Sequence, residues 1–128
     1  MSTFRKGSTL VVLVALVALV ALVAAVAAFG SSAQQSATTT VAVTAGKPSE
    51  LKFTLSKKTI LKGTGVFKVT NKGAISHDFK IAGKKTPSLT AGKVSTLKVL
   101  FKKAGNYPYL CTLPGHAAAG MKGVLVVK

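Results

Sequence analysis

The stretch Phe67-Lys68-Val69-Thr70-Asn71-Lys72-Gly73 alternates apolar and polar side chains and then ends in residues that form turns. Alternation with a period of two predicts a half-buried β-strand, here followed by a turn. The same pattern recurs, between turn-forming residues, at positions 41–45, 51–55, 79–81, 97–101, 107–109 and 124–127. We therefore predict an all-β protein in which about seven short strands pack as a β-sandwich.

The N-terminal part of the chain has a different character. Two basic residues precede an unbroken apolar run from Leu10 to Phe29, and small residues follow it. This is the layout of a secretory signal peptide, and the run is also long enough to remain as an uncleaved membrane anchor. We predict a signal peptide or anchor at residues 1–33, a Ser/Thr/Gln/Ala linker at 34–40, and a domain at 41–128. Both interpretations place the domain outside the cytoplasm, either periplasmic, secreted or anchored facing outward.

The charge of the chain is strongly positive. Eighteen Lys and Arg residues oppose only two acids, Glu50 and Asp78, so the formal net charge is +16. Every basic residue after the N-terminal run is Lys, and these lysines are spread along the sequence. Nucleic-acid readers usually include Arg, whose planar fork matches phosphate and guanine, so we predict no nucleic-acid partner. The lysines could simply form a solvated surface, and a positive field of this kind would also attract acidic partners or anionic surfaces.

Potential metal ligands are concentrated near the C-terminus. Cys111, His116 and Met121 supply a thiol, an imidazole and a thioether, and four residues separate each from the next. A proline and two glycines between them allow the tight bends that could fold this loop around one point. Cys111 is the single cysteine of the chain, so an intramolecular disulfide is excluded.

The remaining ligand candidate is His77, the only other histidine. It shares strand parity with Phe79 and Ile81, so we expect it to face the interior at the start of a strand. If that strand neighbours the one ending at Cys111, the two side chains converge. Two His, one Cys and a weak axial Met are the ligands of blue-copper electron-transfer sites, whereas Met is a poor ligand for zinc.

Each of these residues also has a structural interpretation when it is taken alone. A lone His is commonly a hydrogen-bonded core residue, and a lone Cys or Met is commonly inert packing. The cysteine could also form an intermolecular bridge, and the whole domain could be a metal-free adhesion or structural sandwich. A nucleophilic Cys–His pair would indicate an enzyme, but neither Asn nor a carboxylate obviously orients His116. The combination of two His, the single Cys and a Met favours the metal site.

The segment Cys-Thr-Leu-Pro-Gly-His-Ala-Ala-Ala-Gly-Met at 111–121, followed by Lys-Gly-Val-Leu-Val-Val at 122–127, closely resembles the C-terminal copper loop of the cupredoxins. Its long loop is most similar to the auracyanin, rusticyanin and sulfocyanin group. The segments at 67–73 and 77–79 also resemble the region of the family that carries its first histidine. The resemblance implies a Greek-key β-sandwich that binds one copper ion per chain. The ligands it implies are His77, Cys111, His116 and, as the long axial one, Met121.

The resemblance also implies a function. The chain would be an electron carrier and not an enzyme, passing single electrons between extracytoplasmic redox proteins with acidic docking surfaces, and electrons would enter and leave through His116. We expect a monomer that touches the membrane only if residues 1–33 stay attached. A copper carrier or storage protein of the same fold is the alternative. One departure from the family is Asp78, where many cupredoxins have an Asn that ties the two ligand loops together; a carboxylate there could accept backbone N–H bonds and lower the reduction potential.

Overall fold

The computed structural model describes Gly30 and residues 35–128, of which residues 36–128 pack as one unit. This part of the chain contains strands and turns without any helix, and therefore no helix that could cross a membrane. Its strands are β1 (Ala37–Ala45), β2 (Phe53–Leu55), β3 (Thr59–Ile60), β4 (Gly63–Asn71), β5 (Lys80–Ile81), β6 (Lys84–Lys85), β7 (Val94–Phe101), β8 (Gly105–Leu110) and β9 (Lys122–Val127).

The strands form two sheets. The first has the order β2-β1-β4-β7 and the second the order β3-β9-β8-β5-β6. β1 runs parallel to β4 and β3 runs parallel to β9, whereas the other pairs are antiparallel. The prediction of an all-β sandwich is confirmed.

Burial alternates along the strands as the sequence pattern predicts. In β4, for example, Phe67 and Val69 are fully buried while Lys68 between them is exposed. Aromatic rings then join the two sheets: Phe67 of β4 lies 5.5 Å from Phe79, next to β5, and 6.1 Å from Phe101 of β7, measured between ring centroids. Such large apolar groups contribute most of the burial energy of a small core.

The first strand begins earlier than the sequence pattern indicated. β1 starts at Ala37, so residues 37–40 of the predicted linker pair in parallel with residues 63–66 of β4. Three consecutive threonines suit an extended strand because they are β-branched. The glycine at position 63 also matters, because a Cβ there would collide with the Ala37 carbonyl. The signal peptide or anchor predicted for residues 1–33 lies outside the described residues, except for Gly30.

Strand pairing brings the chemically interesting segments to one end of the sandwich. β5 and β9 flank β8, and Leu110 of β8 pairs with Lys80 of β5 on one side and Lys122 of β9 on the other. Because both pairs are antiparallel, the end of β8 lies beside the beginnings of β5 and β9. Cys111 and Met121 lie immediately beyond these paired positions, and His77 lies three residues before Lys80.

Candidate metal centre

Three of the four predicted ligands converge at this end of the sandwich. The side chains of His77, Cys111 and His116 place ligand atoms within 4.8 Å of one another. The Nδ1 atoms of the two histidines are 3.3 Å apart, and Cys111 Sγ lies 3.4 Å from His116 Nδ1. Two ligand atoms bound at wide angles to one ion, each about 2.0–2.3 Å from it, are about 3.3–3.7 Å apart. The spacing of the donor atoms therefore fits a single bound metal ion.

Backbone hydrogen bonds fix two of the buried predicted ligands, His77 and Cys111. His77 exchanges bonds with Leu89, accepting from its N–H at 2.7 Å and donating to its carbonyl at 3.0 Å. The Cys111 N–H donates to the Met121 carbonyl at 3.1 Å, which extends the β8–β9 ladder by one pair. Both side chains are completely buried. Backbone pairing thus fixes the positions from which the thiol and the imidazole project.

The loop between Cys111 and Met121 folds back on itself, as its one proline and two glycines predict. His116 donates its N–H to the Leu113 carbonyl at 3.2 Å, and its own carbonyl accepts from Met121 at 3.0 Å. Gly115 and Gly120 have φ values of +79° and +105°, in the left-handed region that favours glycine. His116 ends up half-buried, the most exposed of the four predicted ligands.

Met121 lies beside these residues in a small buried cluster. It is fully buried together with Ala45 and Cys111, and Leu51 and Leu113 pack against this cluster. The thioether side chain is thus in the apolar layer next to the cysteine, as a weak fourth ligand would require.

Asp78 joins the two segments that carry the ligands. One carboxylate oxygen accepts the Thr112 N–H at 2.6 Å and the other accepts the Thr112 hydroxyl. The Asp78 N–H points at Cys111 Sγ, 3.4 Å away. The carboxylate is 2% exposed, and its nearest cation is Lys85, at 3.6 Å. A carboxylate thus ties the ligand segments together, and it brings a negative charge close to the cysteine.

The electrostatics of Cys111 oppose ionisation. Burial raises the pKa of the Cys111 thiol above its ordinary value, an effect that the N–H groups of Asp78 and Leu113 offset only in part. The thiol is therefore protonated at neutral pH when no metal is bound. A metal that binds here must displace this proton, so metal affinity decreases as the pH falls.

Glu50 is the residue that the sequence analysis missed. Its Oε1 lies 2.9 Å from His77 Nε2, and its carboxylate accepts the N–H groups of Ala74 and Ile75 at 2.9–3.1 Å. These two backbone bonds, and then His77, lower the pKa of Glu50 from 4.5 to about 2. Nothing in the local pattern indicates this contact, because 27 positions separate Glu50 from His77. The one sequence feature that could have drawn attention to Glu50 is the scarcity of acids, since the chain has only two.

Comparisons with known proteins agree with this geometry. The family model described as a cupredoxin-like domain matches residues 14–127. Auracyanin-B of Chloroflexus aurantiacus is 45% identical over 42 residues, a stretch that covers 33% of this chain and 18% of that protein's length.

Solved structures show the same fold. An auracyanin B structure superposes with a TM-score of 0.60 at 23% identity, covering 74% of this chain and 91% of that one. Rusticyanin from Thiobacillus ferrooxidans gives a TM-score of 0.62 at 24% identity over 71% of this chain and 77% of its own. Auracyanin A from Chloroflexus aurantiacus, described as a "blue" copper protein, gives 0.59 at 21% identity over 72% and 100%.

Proposed function

The chain belongs to the cupredoxin-like family, and from this premise we propose that it binds one copper ion and transfers single electrons between redox proteins outside the cytoplasm. The observation that carries the proposal is the convergence of two imidazole nitrogens and one buried thiol at the end of the sandwich. The N-terminal apolar run supports an extracytoplasmic location, and the description of auracyanin A as a "blue" copper protein supports copper.

The donor set suits copper better than zinc. His77, Cys111 and His116 would hold the ion strongly, and Met121 would be the weak axial ligand. A thioether contributes little to a zinc site, which prefers Cys, His and carboxylate ligands. A copper ion held by these four residues would supply one-electron chemistry by alternating between Cu(II) and Cu(I).

The protein around the site contributes rigidity and exclusion of water. His77, Cys111 and Met121 are fully buried, and the Asp78–Thr112 bonds hold the loop against the β5 segment. A site held by so many bonds rearranges little when the charge of the ion changes. His116 is half-buried, and the loop around it is rich in apolar residues (Leu113, Pro114 and 117–119), so we propose that electrons enter and leave through its ring.

Cyclic voltammetry of the copper-loaded protein tests the proposal. We expect one copper per chain and a reversible one-electron couple. Copper that exchanges readily and shows no reversible couple would contradict electron transfer and favour a carrier or storage protein of the same fold.

Electron exchange with an acidic partner should depend on salt. We expect the second-order rate with a small acidic redox protein to fall as ionic strength increases, because salt screens the attraction to the lysine-rich surface. Stopped-flow kinetics measure this rate, and a neutral redox mediator is the control. A rate that rises with salt, or equal salt dependence for both reactants, would contradict an acidic partner.

Asp78→Asn should raise the reduction potential. The substitution removes the negative charge of a nearly buried side chain, on a residue whose backbone N–H lies 3.4 Å from Cys111 Sγ. A nearby negative charge stabilises Cu(II) over Cu(I). Voltammetry measures the shift. Thr112→Val is the matched control, because it removes the hydroxyl bond to the same carboxylate and keeps the charge. An unchanged potential in Asp78→Asn would show that this charge does not tune the site.

A further inference from the structure

The carboxylate of Glu50 lies behind His77, on the side away from the other ligands. It comes from the connection between β1 and β2, and its Oε1 is 2.9 Å from His77 Nε2. The other ring nitrogen, Nδ1, lies 3.3 Å from His116 Nδ1. The two nitrogens of one imidazole therefore face two different environments, a carboxylate on one side and the candidate metal centre on the other.

This arrangement selects one form of the ring. A neutral imidazole has a single N–H, and an ionised carboxylate can only accept a hydrogen bond. The proton must therefore be on Nε2, which leaves the lone pair of Nδ1 directed at Cys111 and His116. Carboxylates in this position also make the imidazole a stronger donor to a metal.

We propose that Glu50 is a positioning residue, which fixes the tautomer and orientation of His77 and lowers the reduction potential of copper bound at the centre. The second part rests on the function proposed above, whereas the first part concerns the metal-free protein as well. Within the described residues, the carboxylate bonds to the N–H groups of Ala74 and Ile75 and to His77 Nε2, so it acts on the candidate metal centre through the His77 ring.

The contact is built into the backbone of two loops. A Cβ at Gly73 would collide with Glu50 Oε1 and lie 3.0 Å from His77 Nε2. Glycine at this position therefore leaves the space in which the carboxylate reaches the ring. A Cβ at Gly46 would in turn lie 2.5 Å from the Gly73 Cα, which shows that the two loops touch backbone to backbone. These glycines bring the connection that carries Glu50 close to the loop that leads into His77.

Hydrogen bonds from the Asn71 side chain hold the loop that leads into His77. The Asn71 side chain donates to the carbonyls of Ile75 and Leu89 at 2.8 and 2.7 Å, and it accepts the Gly73 N–H at 2.8 Å. Leu89 is also the residue whose backbone pairs with His77. One connected framework thus contains both the N–H groups that bind the Glu50 carboxylate and the His77 ring that the carboxylate contacts. The Glu50 side chain lies at the edge of this framework and is 38% exposed.

Glu50→Gln in the full chain tests the proposal. Glutamine keeps the shape and one acceptor oxygen but removes the charge. With copper bound, we expect the blue absorption to remain and the ratio of Cu(II) to Cu(I) affinity to fall roughly tenfold, a rise of about 59 mV in potential. Lys57→Gln is the control for a unit charge change. It lies next to Lys58, which bonds Val126 at the opposite end of β9, and we expect no comparable shift there.

A second measurement separates positioning from a purely structural role. In metal-free protein, nitrogen NMR of the His77 ring at a pH where imidazoles are neutral should show the proton on Nε2. Gly73→Ala should displace the carboxylate without changing the charge of the chain, and we expect a mixture of tautomers in that variant. It also serves as the second variant should Glu50→Gln fail to fold.

The outcomes are distinguishable. Unchanged potential in Glu50→Gln overturns the tuning role, and Nε2-protonated His77 in both variants overturns the positioning role. If the wild-type protein forms no copper site, the proposed function fails, yet the tautomer measurement on metal-free protein still decides whether Glu50 positions His77.

Discussion

Cys111→Ser is expected to abolish the intense visible absorption of the copper-loaded protein. That absorption arises from charge transfer between a thiolate and Cu(II), and Cys111 is the only thiol in the chain. Serine fits the same buried space and can accept the Asp78 N–H that points at Sγ, so the fold should persist. The measurement is the visible spectrum after addition of one equivalent of Cu(II), with copper content determined on the same sample.

Met121→Leu is the matched control for this substitution. It alters a neighbour in the same buried cluster but keeps the thiol, and a weak axial ligand contributes little to the band. We expect this variant to stay blue with a changed potential. A blue Cys111→Ser protein would show that the thiolate is not a ligand. A colourless wild-type protein that still binds copper would favour the carrier or storage function over electron transfer.

Phe67→Ala is expected to lower the free energy of unfolding by about 3–5 kcal/mol. Phe67 is fully buried and packs against Phe79 and Phe101, so its ring connects the first sheet with the second. Removing it leaves a cavity that strands on both sides cannot close. Because small domains are stable by only about 5–15 kcal/mol, the loss is a large part of the total. Urea unfolding of the metal-free protein measures it.

Val66→Ala provides the comparison in the same strand. Val66 precedes Phe67 and points to the opposite face, where it is partly exposed. We expect a loss below about 1 kcal/mol there, because little apolar area leaves a packed environment. Similar losses at both positions would contradict the assignment of the buried face of β4.

Both acids of the chain lie at the candidate metal centre. Glu50 contacts His77, and Asp78 holds Thr112 next to Cys111. In a chain with a net charge of +16, two carboxylates within one site offset part of the positive field around a bound cation. From the family resemblance, the sequence analysis noted that a carboxylate at Asp78 could accept backbone N–H bonds where many cupredoxins have an Asn that ties the ligand loops together. It had no basis for the same conclusion about Glu50.

Local spacing in the sequence was sufficient for most of the longer strands and for the buried face of several of them. Phe67, Val69, His77 and Phe79 are buried as their parity predicts, since successive side chains of a strand must point to opposite faces. The fold of the loop from Cys111 to Met121 could also be predicted, because its candidate ligands and its glycines are close together in the chain. These features depend on neighbours a few residues apart, which a sequence displays directly.

Only the tertiary structure decided which strands pair and which side chains contact the candidate ligands from outside the metal centre. The start of β1 at Ala37 depends on parallel pairing with β4, and the contact of Glu50 with His77 depends on two loops that meet at Gly46 and Gly73. Periodicity shows which face of a strand is buried but not which partner covers it. Pairing is chosen by the combined packing of distant segments, so the carboxylate behind His77 became visible only when the whole sandwich was assembled.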